Sequence, residues 1–269
     1  MGEQEAIERA DEPVTVDQIV TDLRALGVGA GDTLVVHSSL SALGWVVGGA
    51  QAVVEALQET VTEAGTLVVP THTAQYTDPK GWSNPPVPDD WIETIRTQRP
   101  AYRPEVTPSR NIGAIAECLR TYPEAVRSRH PVFSCAAWGA DAEAIVSDHS
   151  YDDGLGEDSP LGSVYDRGGS VLLLGVDHDA NTSIHLAEYR ADITTERVEN
   201  TVPILQDGDR VMVAYEDIET STEDFEDLGA DFEEQVGCEI GSVGEAEATL
   251  LDQSKLVDFA VEWLEANRG

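Results

Sequence analysis

The segment from His178 to Glu188 holds the residues best suited to chemistry. It carries two histidines and two carboxylates, namely His178, Asp179, His185 and Glu188. An imidazole beside a carboxylate is a common proton acceptor near neutral pH. Three interpretations stay open: His185 takes a proton from a substrate amine or hydroxyl while Asp179 or Glu188 orients it, the segment binds a metal, or His185 is a buried structural residue. Against a metal, His-x-x-Glu lacks the second helical histidine of the common zinc motif.

The elements around this segment predict an α/β protein. A continuous apolar run over 171–176 indicates a buried strand, and helical spacing follows over 185–191. Chemistry in α/β proteins lies where a strand ends and feeds a helix. Residues 14–26 predict a helix, 32–37 a strand, 50–61 a helix and 66–71 a strand. This alternation favours a mostly parallel or mixed sheet.

The remaining helices and strands are predicted from short local sequence signals. Thr107 suits an N-cap and Pro108 the first position of a helix. Further predicted elements are a strand over 130–138, a short helix over 142–146, strands over 210–215 and 245–248, and a terminal helix over 256–266. Residues 1–12 are expected to be flexible, and no linker divides 13–269, so we expect a single domain.

The charge balance is unusual for a globular protein. The chain of 269 residues has 16 basic and 51 acidic residues, a net charge of −35, and the acids are spread along it. In molar salt the Debye length is about 3 Å, so self-repulsion is screened and an acidic surface keeps a protein dissolved. We therefore expect adaptation to concentrated salt, as in halophilic archaea. The same charge argues against nucleic-acid binding.

Cysteine usage and hydropathy bear on the compartment. Cys118, Cys135 and Cys238 are odd in number and lack metal-ligand spacing. With no signal peptide recognised, they predict a reducing cytoplasm. No apolar run approaches the length of a membrane span, so no membrane partner is expected. Oligomeric state is not readable from the sequence.

Other segments are candidate ligand contacts. The turn after the first strand comprises His37, Ser38, Ser39 and Leu40. Its backbone N–H groups either face an anion or carbonyl, or form an ordinary βα turn. Thr107, Ser109 and Arg110 open a predicted helix, and this end either binds phosphate or is simply capped. Tyr76 and Trp82, in a proline-rich excursion, either line a pocket or pack in the core.

Several long segments together resemble the aminoglycoside 3-N-acetyltransferase family, the antibiotic acetyltransferases distinct from the GNAT fold. The matching segments are VHSSLSALGWVVGGA (36–50), GTLVVPTHT (65–73), TPSRNIGAIAECLRTYPEAVRSRHP (107–131), AAWG (136–139), LGEDSPLG (155–162) and VLLLGVDHDANTSIHLAEYRA (171–191). The resemblance is strong over about 13–195 and weak in the acidic C-terminal part. It departs at His72, where relatives often carry an aromatic residue.

The resemblance implies a three-layer α/β/α sandwich that binds acetyl-CoA as cosubstrate and acetylates an amine directly. It implies that His185 is the general base, and that the segments 37–40 and 107–110 contact the coenzyme. Family substrates are polycationic amino sugars, so Asp152, Asp153 and Glu157 join Asp179 and Glu188 as expected partners of a cationic amine. No metal is expected. The alternative is a metal-binding hydrolase or a non-catalytic cation-binding relative, with His178, Asp179, His185 and Glu188 as ligands.

Overall fold

A seven-stranded mixed sheet forms the centre of the protein. The computed structural model describes residues 7–8 and 12–269. The strands are β1 (Thr33–Ser38), β2 (Thr66–Pro70), β3 (Val126–Arg127), β4 (Cys135–Gly139), β5 (Ser170–Leu174), β6 (Arg197–Gln206), β7 (Asp209–Ile218), β8 (Glu239–Val243) and β9 (Ala246–Asp252). The main sheet has the order β3-β4-β2-β1-β5-β9-β8, while β6 and β7 pair separately as a hairpin. Strand β1 is parallel to β2 and β5, and the other pairs are antiparallel.

Helices cover both faces of the main sheet. They are α1 (Val16–Leu26), α2 (Gly49–Val61), α3 (Ile92–Gln98), α4 (Ala114–Arg120), α5 (Ala142–Val146), α6 (Pro160–Asp166), α7 (His185–Arg190), α8 (Phe225–Gln235) and α9 (Gln253–Arg268). Along β1, Leu34 and Val36 join the apolar cluster with α1, α2 and α4, whereas Val35 joins the cluster with α5 to α9. This alternation follows from the two-residue period of a strand. The predicted three-layer α/β fold with a mixed sheet is confirmed.

The proline-rich excursion over 76–104 and the β6–β7 hairpin form a third packed region. Its buried core contains Tyr76, Tyr102, Val202 and Tyr215. The N–H of Tyr102 donates to the carbonyl of Pro203 over 2.8 Å, so the proline-rich excursion is tied to the hairpin. Within the described residues, no helix combines the length and apolarity that crossing a bilayer requires.

The predicted helix start at Thr107 is wrong. Helix α4 begins only at Ala114. The carbonyl of Thr107 instead accepts a hydrogen bond from Arg127 Nη1 over 2.5 Å, and Arg110 N–H donates to the carbonyl of His72. Asn111 then adopts a left-handed conformation at φ 62°. Arg127 thus takes a carbonyl oxygen that a helix would use, and the left-handed residue prevents helix continuation.

Other boundaries differ because side chains override local preference. The strand predicted over 130–138 begins at Cys135, since His130 Nδ1 accepts the N–H groups of Val132 and Phe133 and closes a turn. The strand predicted over 210–215 is longer, and its partner β6 was not predicted. The acidic stretch after 216 contains α8. The expected flexible segment falls largely on residues 1–6 and 9–11, outside the described residues. The single domain over 13–269 stays a prediction.

Candidate active site

A histidine–carboxylate pair lies on the first turn of α7. His185 and Glu188 are three residues apart, so both side chains project from one helix face. Their side chains are 10% and 1% exposed, and His185 Nδ1 is 2.5 Å from Glu188 Oε2. Glu188 Oε1 accepts the backbone N–H of Ser221 over 3.1 Å and the Nη1 of Arg268 over 2.5 Å. The pair therefore has a fixed geometry.

One of the two predicted partners of His185 contacts its imidazole. Asp179 is exposed on the 3-10 turn His178–Ala180, whereas Glu188 Oε2 is hydrogen-bonded to His185 Nδ1. That a carboxylate orients His185 in a reaction stays a prediction. His178 faces elsewhere, with Nε2 at 3.2 Å from Glu233 Oε1. The alternative metal set of His178, Asp179, His185 and Glu188 is therefore not brought together. In the described part of the chain, no group of three or more His, Cys, Asp or Glu side chains is arranged to hold a metal.

A cleft of about 750 Å³ opens beside the carboxyl end of β1. Its wall includes the predicted turn residues His37, Ser38, Ser39 and Leu40. Residues 111–114, which lead into α4, form another wall, and Thr182 closes the side next to α7. The backbone N–H of Ser39 donates to the carbonyl of Leu174, and the Ser39 hydroxyl lies 3.2 Å from the Ser41 hydroxyl. The four residues of the β1 turn therefore line a cleft, and their contact with a coenzyme stays a prediction.

Burial keeps His37 neutral on this wall. Desolvation, and secondarily the charge of His185, lower the pKa of His37 to about 3. The same two effects, with smaller contributions from other charges, lower the pKa of His72 to about 3. His37 Nε2 lies 3.4 Å from Thr182 Oγ1. These two imidazoles are therefore neutral near neutral pH and add no positive charge to the site.

The three predicted phosphate contacts do not line the cleft. Thr107 is buried, and its Oγ1 accepts the N–H of Arg103 over 3.0 Å. Ser109 Oγ donates to Glu117 Oε2 over 2.6 Å. Arg110 stacks over the ring of Trp82 at 5.3 Å. The cleft wall instead comes from the next four residues, 111–114. The sequence signal for this wall was Asn111-x-Gly113, which directly precedes an apolar helical pattern.

A second, acidic cleft of about 400 Å³ lies on the other side of α7. It is lined by Glu188 together with the predicted residues Asp152, Asp153 and Glu157. All four of these carboxylates have partners: besides Glu188, Asp152 accepts the N–H of Glu216, Asp153 pairs with Arg197 at 3.0 Å, and Glu157 pairs with Arg190 at 2.6 Å. Asp158 and Tyr189 also line it and were missed.

The two predicted aromatic substrate contacts lie elsewhere. Tyr76 and Trp82 line a separate cavity of about 540 Å³ beside α3. Tyr76 is only 4% exposed, and its hydroxyl donates to the carbonyl of Pro100 over 3.1 Å. Trp82 Nε1 donates to Thr77 Oγ1. Tyr76 belongs to a buried cluster and Trp82 is half-buried, and neither lines the acidic cleft. Their contact with substrate stays a prediction.

Fold and site together define an α/β protein with a buried histidine–glutamate pair on α7, where Thr182, just before the helix, lines the larger cleft and Glu188 lines the acidic one. Two clefts near one such pair suit the transfer of a group between two substrates. Residues 35–265 match the family model described as aminoglycoside 3-N-acetyltransferase. The SPbeta prophage-derived aminoglycoside N(3')-acetyltransferase-like protein YokD of Bacillus subtilis is 45% identical over 259 residues, which are 96% of this chain and 94% of the relative. The chain belongs to the aminoglycoside 3-N-acetyltransferase family.

Solved structures agree with this membership. The crystal structure of YokD has a TM-score of 0.95 at 43% identity and covers 98% of each chain. AAC-IIIb in a binary complex with CoASH has a TM-score of 0.87 at 30% identity over 96% of this chain and 98% of that one. AAC-VIa bound to sisomicin has a TM-score of 0.87 at 32% identity over 96% and 100%. The predicted family, fold and acetyltransferase activity are confirmed.

Proposed function

We propose that this protein transfers the acetyl group of acetyl-CoA to an amino group of an aminoglycoside or a similar amino sugar or polyamine, with His185 as general base. The observation that carries the proposal is the position of His185. Thr182, three residues before it, lines the 750 Å³ cleft, and Glu188, three residues after it, lines the acidic cleft. His185 itself lines neither cleft, so we place its Nε2 where the two clefts would meet and the amine would approach the thioester.

The larger cleft suits coenzyme A, which occupies the related AAC-IIIb. Gly113 lines it with φ +95°, and a Cβ there would lie 3.4 Å from the carbonyl oxygen of Ser38. The residues before α4 therefore approach the β1 turn closely and leave a narrow channel for a pantetheine arm. No lysine or arginine of the described chain lines the cleft. Backbone N–H groups and the Ser38, Ser39 and Ser41 hydroxyls would then hold the polar parts of the coenzyme.

The histidine tautomer follows from its hydrogen bond. Nδ1–H donates to Glu188, which leaves the lone pair of Nε2 to accept a proton. The substrate ammonium has no lone pair, so it must first lose a proton before the nitrogen attacks the thioester carbon. The proton goes to His185, and Glu188 stabilises the resulting imidazolium. The Ser39 hydroxyl, which lies 3.2 Å from the Ser41 hydroxyl, is our candidate donor for the developing oxyanion.

A direct transfer agrees with the state of the cysteines. Burial raises the pKa of Cys135 to about 12, and burial with nearby carboxylates raises that of Cys238 to about 11. Burial also raises the pKa of Cys118. A thiol with a raised pKa supplies little thiolate at neutral pH and is a weak nucleophile. The chain therefore has no thiol suited to carry an acetyl group between the two substrates.

The acidic cleft supports a polycationic amine. Five carboxylates and one arginine line it, namely Asp152, Asp153, Glu157, Asp158, Glu188 and Arg197. Clustered carboxylates attract ammonium groups and disfavour anions. The relative AAC-VIa was crystallised with sisomicin. We place the accepting amine here, with antibiotic resistance as the corresponding role.

Thiol release from acetyl-CoA, measured with a panel of aminoglycosides and polyamines in molar KCl, tests this proposal. We expect release with at least one amine, and His185→Ala should abolish it while coenzyme binding by calorimetry persists. His178→Gln is the matched control and should stay near wild type, because His178 pairs with Glu233 outside both clefts. Wild-type turnover in His185→Ala removes this residue from the mechanism. Absence of release by the wild type with every amine refutes the function.

The compartment and the salt regime are part of the same proposal. We place the enzyme in the cytoplasm of a cell that accumulates salt. The three cysteines are free thiols, as a reducing compartment would keep them. The excess of 51 acidic over 16 basic residues has no single site that would explain it, whereas screening by molar salt accounts for it over the whole surface.

A further inference from the structure

Arg268, at the end of the last helix, reaches the histidine–glutamate pair. Its Nη1 donates to Glu188 Oε1 over 2.5 Å, although the two residues are 80 positions apart. Its Nη2 donates to the carbonyl of Ser221 over 3.0 Å, and the N–H of Ser221 donates to the same Glu188 oxygen. The C-terminal helix and the loop before α8 therefore converge on one carboxylate.

Glu188 needs such a partner because its side chain is 1% exposed. One oxygen accepts from His185 and the other from Ser221 and Arg268. A buried carboxylate without a cation is costly, and it lowers that cost by rotating or by taking a proton. Either change would withdraw Oε2 from His185 Nδ1. The guanidinium fixes which oxygen faces the imidazole.

Arg268 is itself held in a defined orientation. Asp224 binds it through two hydrogen bonds, the one from Nε measuring 2.7 Å. Its guanidinium carbon lies 6.0 Å from the ring centroid of Phe225, and that ring lies 4.8 Å from the ring of His185. The planar fork of an arginine matches two carboxylates at once, which a lysine ammonium does not.

We propose that Arg268 is a positioning residue of acetyl transfer, acting through Glu188 to hold the tautomer and the orientation of His185. This inference rests on the proposed function. It assigns a role in the reaction to the C-terminal turn of α9, whose residue touches neither cleft directly. The chain Asp224–Arg268–Glu188–His185 then runs from the surface to the reacting nitrogen.

Kinetics of Arg268→Met in molar KCl test this role. Loss of the Arg268 guanidinium should lower kcat about 100-fold, which is the effect expected when a catalytic group is displaced by about 1 Å. KM for acetyl-CoA and for the amine should stay within about threefold, because no substrate contact is lost. Arg96→Met is the matched control: it removes a paired arginine at Asp78, away from both clefts, and should leave kcat unchanged.

Two further variants separate positioning from folding. If Arg268 acts only through Glu188, then adding R268M to E188Q should lower kcat no further, whereas a general structural defect would lower it again. Arg268→Lys keeps the charge, so partial rescue to within about tenfold of wild type is expected. Should R268M fail to fold by circular dichroism, Asp224→Asn replaces it, with an expected loss of about tenfold.

The outcomes are distinct. Wild-type kcat in R268M, or in D224N where R268M does not fold, overturns the positioning role while leaving the acetyltransferase intact. An additive loss in the E188Q background overturns it as well. A wild-type protein that releases no thiol with any amine overturns the proposed function and this inference together.

Discussion

Three buried histidines should make this protein sensitive to mild acid. Burial is the first cause of a lowered pKa at His37 and His72, each to about 3, and at His149, to about 4. An unfolded chain protonates histidine near pH 6.5. Below that value the unfolded state therefore binds more protons than the folded state, and stability falls as the pH falls. The loss starts near pH 6.5 and continues down to the folded pKa values.

The size of the stability loss follows from the linkage between proton binding and unfolding. At about pH 5.5 each histidine lowers the free energy of unfolding by about 1.4 kcal/mol, so His37, His72 and His149 together lower it by about 4 kcal/mol. Burial also lowers the pKa of His130, which adds to the loss, whereas the raised pKa of buried Asp217 opposes it. The whole free energy of unfolding of a domain is only about 5–15 kcal/mol.

Urea unfolding in molar KCl, followed by circular dichroism at steps from about pH 7.5 to about pH 5.5, measures this loss. His149→Gln should reduce the pH-dependent part by about a third, since one titrating group is removed. Similar m-values across the series would show that the same surface is exposed. A free energy of unfolding that changes by less than about 1 kcal/mol over this interval, or a loss unchanged in His149→Gln, would refute the reasoning.

Two further expectations concern salt and packing. Transfer from molar KCl to dilute buffer should lower the melting temperature by circular dichroism, because the net charge of −35 is then unscreened; equal melting temperatures exclude salt adaptation. Gly229→Ala should destabilise by about 1–3 kcal/mol, since its Cβ would lie 2.1 Å from His178 Cγ. Gly81→Ala is the control, as nothing lies within 4 Å of its Cβ, and equal melting of the two variants would contradict the packing argument.

Elements with strong local signals were predictable from the sequence. Helix α1 has Thr15 as N-cap, accepting the N–H of Gln18, and Gly27 as C-cap at φ 113°, which matches the predicted end. Strand β5 is buried over 171–174 and reads as a continuous apolar run. Strand β6 of the β6–β7 hairpin was missed. The sequence signal for this hairpin was Asp207-Gly208, because Asp-Gly favours a tight turn, and both residues have positive φ in the structure.

Contacts made by side chains from distant parts of the chain could not be predicted from local sequence signals. The N-cap and proline signals at Thr107 were sound locally, but Arg127, twenty positions later, takes the carbonyl that a helix needs. The choice between Asp179 and Glu188 depended on where α7 begins: the helix starts at His185, so Glu188 lies on the same helix face and Asp179 lies outside the helix.

The active site combines both kinds of residue. The base and its partner are adjacent on α7 and could be read from a short motif, whereas Ser221 and Arg268, which fix the second oxygen of Glu188, come from the part of the chain where the family resemblance is weak. A carboxylate that is almost fully buried must be compensated wherever the compensating cation lies in sequence. A buried carboxylate beside a predicted catalytic histidine therefore predicts a cation even before its position is known. In a chain with so few basic residues, each buried arginine is a candidate for that role.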